Sequence, residues 1–200
     1  MDDGFPDSLH AWNDVYSGIY ERHYSIKRGD VIYDLGANVG HFTEMAVSKV
    51  GPAGVVYTFE PENRNFGELE CRCRGFANVS MHHAAALFSD DPCSLFLNRL
   101  NCGGHSLLDW GVLYETQPCE GIDIGKFITN RGHPPSFIKI DTEGSEVEIL
   151  KSLVQHGIIC PMAVECHNHD LYKECVEIIA GTSMRWIDGD SPVGVNYVMP

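Results

Sequence analysis

The run Val31-Ile-Tyr-Asp-Leu-Gly-Ala-Asn-Val-Gly40 constrains this chain more than any other feature. Its mostly apolar first half, Val31 to Leu35, reads as a buried parallel strand that breaks into a tight turn. Gly36 and Gly40 let the backbone approach a ligand where a Cβ would clash. A second apolar run, Val55-Val-Tyr-Thr-Phe59, ends in Glu60-Pro61. An acidic residue at the tip of the second strand is where a doubly wound sheet holds a ribose by its hydroxyls. Together the two runs imply a nucleoside-containing cofactor.

The loop composition separates the candidate cofactors. A dinucleotide site needs Gly-x-Gly-x-x-Gly so that backbone amides and a helix N-terminus receive a pyrophosphate. Only Gly36 and Gly40 are present, and no stretch matches Gly-x-x-x-x-Gly-Lys-Ser/Thr. Asp34, two residues before the first glycine, would repel a pyrophosphate and attract an ammonium or sulfonium. This favours S-adenosylmethionine, which carries a ribose and cationic centres but no phosphate. A nicotinamide oxidoreductase is the enzymatic alternative, and a cofactor-binding protein that does not catalyse is the non-enzymatic one.

The 200 residues suit one α/β domain with a substantial core. The net charge of −14 argues against a duplex nucleic-acid partner, which calls for a basic face. The start, Met-Asp-Asp-Gly-Phe-Pro-Asp, lacks the basic and apolar regions of a secretory signal. The longest nearly apolar stretch, Gly157 to Val164, is far short of a membrane span. A soluble cytoplasmic protein with no membrane partner is therefore expected. The eight cysteines include no Cys-x-x-Cys pair and read as reduced thiols.

Asp7-Ser8 suits the cap of a first helix running to about Tyr20, with Leu9, Trp12, Val15, Tyr16, Ile19 and Tyr20 on one stripe. Residues 1–30 would form a helical extension that packs on the domain or lids the cofactor site. Residues 31–200 form the domain itself. Within it, strands at 31–35, 55–60, 79–83, 136–141 and 161–165 alternate with helices at 40–49, about 61–74, 122–130, 145–155 and 171–180. Trp186 and Val193–Val198 mark the last strands. That alternation predicts a largely parallel sheet. Residues 92–122 show no helical period and read as a strand or loop insertion near the substrate pocket.

Ligands of open α/β sheets sit beyond the carboxyl ends of the strands. Those ends are acidic: Asp34, Glu60, Asp141 with Glu143, and Glu165, followed by Cys166, His167, Asn168, His169 and Asp170. Asp34-Leu-Gly-Ala-Asn-Val-Gly40, Phe59-Glu-Pro61 and Ile138-Lys-Ile-Asp-Thr-Glu-Gly-Ser-Glu146 together resemble the FkbM-type family of S-adenosylmethionine-dependent methyltransferases. The similarity spans roughly residues 31 to 165, and its Lys-Ile-Asp-x-Glu-Gly-x-Glu segment is the discriminating part.

The resemblance implies a class I methyltransferase fold, a Rossmann-like sandwich with a mostly parallel seven-stranded sheet and helices on both faces. It implies that Asp34, Gly36, Ala37, Asn38 and Gly40 cradle the methionine part of the cofactor. Glu60, followed by Pro61, would hold the ribose, Ala86 and Leu87 would contact adenine, and Asp141 would lie beside the transferring methyl. It further implies O-methylation of a hydroxyl on a sugar or other small metabolite. A hydroxyl nucleophile benefits from a base within hydrogen-bond reach. Asp141 and His167 are the candidate catalytic groups, with Glu143 as helper or, alternatively, as cap of the following helix. His167 and His169 beside Glu165 suggest a metal constellation, but magnesium prefers oxygen ligands and zinc wants three or four close ones, so no metal ligand is assigned.

Overall fold

The computed structural model describes residues 13, 15–98, 104–109 and 115–200. The expected helix start at Asp7-Ser8, with Leu9 and Trp12, lies outside them, as do residues 99–103 and 110–114 of the expected insertion. The N-terminal helix does not reach Tyr20. It gives way at Gly18, whose φ of 77° is left-handed, and the chain continues as a 3-10 turn, Ile19–Glu21. Gly18 permits that reversal because it has no Cβ to clash.

The strands and helices then follow in order: β1 (Val31–Leu35), α1 (His41–Val50), β2 (Val55–Phe59), α2 (Asn63–Cys73), β3 (Val79–His82), β4 (Ala85–Leu87), β5 (Cys93–Leu97), β6 (Glu115–Cys119), β7 (Gly121–Asp123), α3 (Ile124–Arg131), β8 (Phe137–Ile140), α4 (Glu146–Gln155), β9 (Met162–Cys166), α5 (His169–Ala180), β10 (Arg185–Ile187) and β11 (Gly194–Met199). Helix starts differ from expectation by a residue or two, and side chains cap α2, α3 and α5. The Glu62 carboxylate accepts from Asn65 N, which places Pro61 ahead of α2. Asp123 caps α3 and Asn168 caps α5, accepting from Asp170 N and Leu171 N.

Seven strands form the main sheet in the order β10-β11-β9-β8-β1-β2-β3. β1 pairs in parallel with β2 on one side and β8 on the other, while β11 runs antiparallel to β9 and β10. The chain order reverses between β1 and β8, and a ligand crevice opens at that switch point.

Both faces of the sheet are covered, which is why its central strands are almost continuously apolar. Ile32, Val56 and Phe137 face Phe42, Ala46 and Val50 of α1. Their strand neighbours Tyr33, Leu35, Tyr57, Ile138 and Ile140 point the other way, toward α3, α4 and α5. Each fully buried side chain of this size contributes about 1.5–3 kcal/mol. Val15, Tyr20 and Ile26 join the α1 face, so the segment before β1 packs into the domain.

β5 and β6 form a separate antiparallel pair, and β4 pairs in parallel with β7. β5, β6 and most of β7 fall in the span read from the sequence as an insertion, whereas β4 precedes it.

Candidate active site

A cavity of about 250 Å³ lies beyond the carboxyl ends of β1, β2, β8 and β9. One wall is the β1–α1 turn. Gly36 (φ 80°), Asn38 (φ 51°) and Gly40 (φ 88°) are all left-handed there, reversing the chain within five residues. A Cβ on Gly36 would lie 1.8 Å from the backbone oxygen of Asp141, so only glycine fits. A Cβ on Gly40 would meet Leu69 of α2 at 2.7 Å, which makes Gly40 a helix-packing position behind the cavity wall.

Glu60 fastens the turn. Asn38 N donates to its Oε2 at 2.8 Å and Glu62 N to its Oε1 at 2.9 Å. Burial pushes the Glu60 carboxyl up to about 7, against the pull of those backbone donors. Both oxygens retain lone pairs, and the residue lines the cavity with Ala37, Asn38, Pro61 and Ala86.

Asp34 is placed differently from the sequence argument. It is fully buried and does not line the cavity. Thr43 Oγ1 donates to its Oδ2 at 2.6 Å, and its Oδ1 lies 3.3 Å from Lys139 Nζ. Asp34 and Lys139 are register partners across β1 and β8, so their side chains share a face. Lys139 also lies 3.3 Å from Asp141 Oδ2 and donates to the Gly36 carbonyl at 2.8 Å. The Asp34 charge is thus matched beneath the turn by a buried ammonium. Leu87 likewise does not line the cavity.

The opposite end of the cavity gathers Asp141, Glu143, Glu165, His167 and Tyr20. The Tyr20 hydroxyl is 2.7 Å from Glu165 Oε2 and 3.0 Å from Asp141 Oδ2. His167 Nε2 lies 3.5 Å from Asp141 Oδ1 and 3.4 Å from Glu143 Oε1, and its Nδ1 is 3.1 Å from Glu146 Oε1. Burial alone would lower the His167 pKa. The carboxylates of Asp141, Glu143 and Glu146 override it and hold the imidazole well above its ordinary range, doubly protonated.

Burial likewise works to raise Asp141, but Lys139 and His167 hold its carboxyl far below the usual range. Glu165 moves oppositely: burial and the neighbouring Asp141 charge push it up to about 7. Two carboxylates sharing the Tyr20 hydroxyl therefore differ sharply in proton affinity, a pattern that separates a permanently charged group from a proton acceptor.

Glu143 has a left-handed φ of 54°, which turns its side chain to His167. The role of tying down the α4 N-terminus falls to Glu146, whose Oε1 accepts from Gly144 N at 3.0 Å.

Atoms of Asp141, Glu165 and His167 lie within 4.8 Å of one another, a spacing that could hold a cation. A cation bound there would have to displace a proton from His167, because a metal takes the neutral imidazole. Leu95, His105 and Leu107, from the segment between β4 and β7, line the remaining side.

The profile of the methyltransferase FkbM domain matches residues 34–184. This chain belongs to the FkbM methyltransferase family. As a member it is an S-adenosylmethionine-dependent methyltransferase, and the acidic lining of the cavity, with Glu60, Asp141 and Glu165, is compatible with a cofactor that carries no phosphate.

Solved structures share the fold at low identity. A putative rRNA methylase from Clostridium thermocellum aligns with a TM-score of 0.56 at 10% identity, over 96% of this chain and 94% of that one. Aeropyrum pernix fibrillarin, solved with S-adenosyl-L-methionine bound, gives 0.57 at 13%, over 94% and 76%. Precorrin-6y C5,15-methyltransferase from Geobacter metallireducens gives 0.56 at 12%, over 96% and 88%. No curated protein matches the chain.

The expected exclusion of nucleic acid is not supported by these comparisons, since the fold is shared with an rRNA methylase and fibrillarin. Among the described residues no helix is long and apolar enough to cross a membrane.

Lys139, Glu146 and Tyr20 were not singled out as site residues from sequence. A lysine inside the apolar strand Phe137-Ile-Lys-Ile140 was a usable signal, because a buried ammonium requires partners. Tyr20 had none, since its partners lie 121 and 145 positions away.

Proposed function

We propose that this methyltransferase O-methylates a hydroxyl of a small, uncharged or cationic metabolite, with sugars as the leading class. The single observation that carries the reading is the pairing of Glu165 with Asp141 on the Tyr20 hydroxyl at the end of the cavity away from Glu60, where burial and the Asp141 charge push the Glu165 carboxyl up to about 7. A base poised near neutral pH is what removal of a hydroxyl proton calls for. An anionic acceptor would meet Asp141, Glu143 and Glu165 together, and their repulsion favours neutral or cationic ones.

In this reading the β1–α1 turn, through Gly36, Ala37 and Asn38, supports the methionine end of the cofactor. Glu60 accepts the two ribose hydroxyls, and Pro61 and Ala86 flank the base. When bound, S-adenosylmethionine supplies a methyl group already activated on a sulfonium. Asp141 keeps a fixed negative charge beside that position. Glu165 would take the proton of the acceptor's hydroxyl. The Tyr20 hydroxyl, which reaches both carboxylates, then turns from Glu165 to Asp141. His167 holds Asp141 and Glu143 in place through its Nε2–H, with its Nδ1–H anchored on Glu146, rather than acting as the base. Positioning of this kind can contribute up to ~7–11 kcal/mol.

Calorimetry with S-adenosylhomocysteine and NAD, followed by methyl-transfer assays from labelled S-adenosylmethionine against sugars, other hydroxylated metabolites, amines and RNA, tests the reading. Binding of S-adenosylhomocysteine alone, with label on a hydroxyl of a small acceptor, is expected. Transfer only to an amine or to RNA would overturn the acceptor class. Failure to bind S-adenosylhomocysteine would overturn the cofactor site.

A further inference from the structure

β5 and β6 set Cys93 directly opposite Cys119 in an antiparallel register, with the two sulfurs 2.9 Å apart. Both residues are half-buried free thiols, within reach of small thiol reagents. The other described cysteines differ: Cys73, Cys160, Cys166 and Cys175 are buried, and Cys71 is exposed on α2.

What makes this pair matter is what it frames. Between the two cysteines the chain delivers Leu95, His105 and Leu107 to the cavity. The same segment is fastened to the site at separate points. Gln117 Nε2 donates to the Pro61 carbonyl at 2.7 Å, Asn63 N donates to Gln117 Oε1 at 3.1 Å, and the Ser106 hydroxyl donates to the Glu143 carbonyl. The strands themselves belong to a two-stranded sheet outside the main one. Within the segment Ser106 bridges to Phe96 of β5 through two backbone hydrogen bonds.

We propose that Cys93 and Cys119 are a site of reversible oxidation, forming a disulfide that ties the two ends of this segment together and stiffens the cavity wall it carries. The inference does not depend on the acceptor class proposed above.

The chemistry follows thiol–disulfide exchange with a small-molecule disulfide such as oxidised glutathione. The hydrogen bond between the two sulfurs favours the thiolate on whichever accepts it; with Cys93 as acceptor its thiol pKa is lowered, and Cys93 is the first nucleophile. Its thiolate attacks one sulfur of the small disulfide and expels one thiolate. Cys119, once deprotonated, attacks the Cys93 sulfur of the mixed disulfide and expels the second. The protein loses two hydrogens, and one small disulfide becomes two thiols. The closed loop spans a sequence separation of 26, long enough for closure to remove appreciable freedom from the unfolded chain.

The test is incubation of the whole protein with oxidised glutathione, then alkylation and non-reducing peptide mapping by mass spectrometry. A Cys93–Cys119 cross-link reversed by dithiothreitol is expected, with a melting temperature roughly 5–10 °C higher in the oxidised form. Hydrogen exchange across 94–98 and 104–109 should slow on oxidation. Alkylation of both thiols with no cross-link, a stable mixed disulfide on either, or a link to another cysteine would overturn the site. Unchanged exchange would overturn the stiffening of the wall. The Cys93→Ser variant should lose both the cross-link and the melting shift. Because the mapping is read on the wild-type chain, it decides the matter even if that variant fails to fold.

Discussion

Tyr20 and Glu165 stand 145 positions apart in the chain and meet in a 2.7 Å hydrogen bond. The bond joins the segment before β1 to the end of β9, two places that no local pattern connects. Its consequence is electrostatic as well as mechanical. The Tyr20 hydroxyl is buried against Asp141 and Glu165, and burial with those two charges keeps its own proton far from titration. Tyr20 therefore always has its proton to donate, and which carboxylate it donates to depends on which one carries charge.

Replacing Tyr20 by Phe removes that donor and leaves the ring. The hydrogen bond works to lower the Glu165 pKa, so its loss should raise the Glu165 midpoint above about 7. The acid limb of the pH–rate profile is expected to move upward by the same amount, with turnover reduced at pH 7. Stability should fall by ~1.5–3 kcal/mol, the value of a hydrogen bond to a charged group. A profile that keeps its midpoint would separate Glu165 from the proton transfer.

Lys139 is the buried cation beneath the site, facing Asp34 and Asp141 at 3.3 Å each. Lys139→Met leaves two carboxylates with no cation between them. Breaking a buried pair by removing one partner costs about 3–5 kcal/mol. Denaturant unfolding should record a loss of that order. The double variant Lys139→Met with Asp34→Asn should recover part of it, whereas independent losses would mean that the two side chains are not coupled.

Much of the scaffold was legible in the sequence because its determinants are local. The apolar runs of β1, β2 and β8, the glycines of the β1–α1 turn and Glu60 at the end of β2 all fall where spacing and residue type place them. The cavity indeed collects Gly36, Ala37, Asn38, Glu60, Pro61, Ala86, Asp141, Glu143 and His167. What escaped the reading depends on side-chain direction and on distant partners. Asp34 occupies its expected strand position, yet it shares a face with Lys139 and Thr43, and its carboxylate is consumed there. The protonation of His167 follows from three carboxylates delivered by the β8–α4 connection and α4 itself. The segment between β5 and β6 carries no periodicity from which its contacts could be derived.

Glu60→Ala should weaken S-adenosylhomocysteine binding by ~1.5–3 kcal/mol in calorimetry. Part of the loss will come from the turn, since Asn38 N and Glu62 N lose their acceptor. Glu60→Gln, which keeps one acceptor oxygen, should sit between the two. Affinity within twofold of wild type in both variants would remove Glu60 from the ribose role.

Chelation is expected to leave turnover unchanged. The carboxylates of Asp141 and Glu165 are close enough to share an ion with His167, but both ring nitrogens of His167 already lie against acids, so an ion would have to displace a proton there. Activity lost on EDTA treatment and restored by magnesium would mean that metal entry displaces that proton, and His167 would then be a ligand rather than a holder of Asp141.

The raised glutamates give a pH signature with a definite sign. In the unfolded chain Glu60 loses its proton near 4.5, but in the folded protein it keeps it until about 7, because burial penalises the charged form. Between those values the folded state binds more protons than the unfolded one, so stability falls as pH rises across that window and levels off above it. The fall attributable to Glu60 is on the order of 3 kcal/mol. Other groups act across the same range. His82, lowered to about 4 by burial, adds a rise between about 4 and 6.5. The informative quantity is therefore wild-type stability minus that of Glu60→Gln, measured by denaturant unfolding from pH 4 to 8. That difference should decline from pH 4.5 to 7 and then stay flat. Cofactor affinity should climb over the same interval as Glu60 ionises and becomes the stronger acceptor for the ribose hydroxyls. A flat difference would show that Glu60 already carries its charge at pH 5, with the Asn38 and Glu62 amides sufficient to offset its burial.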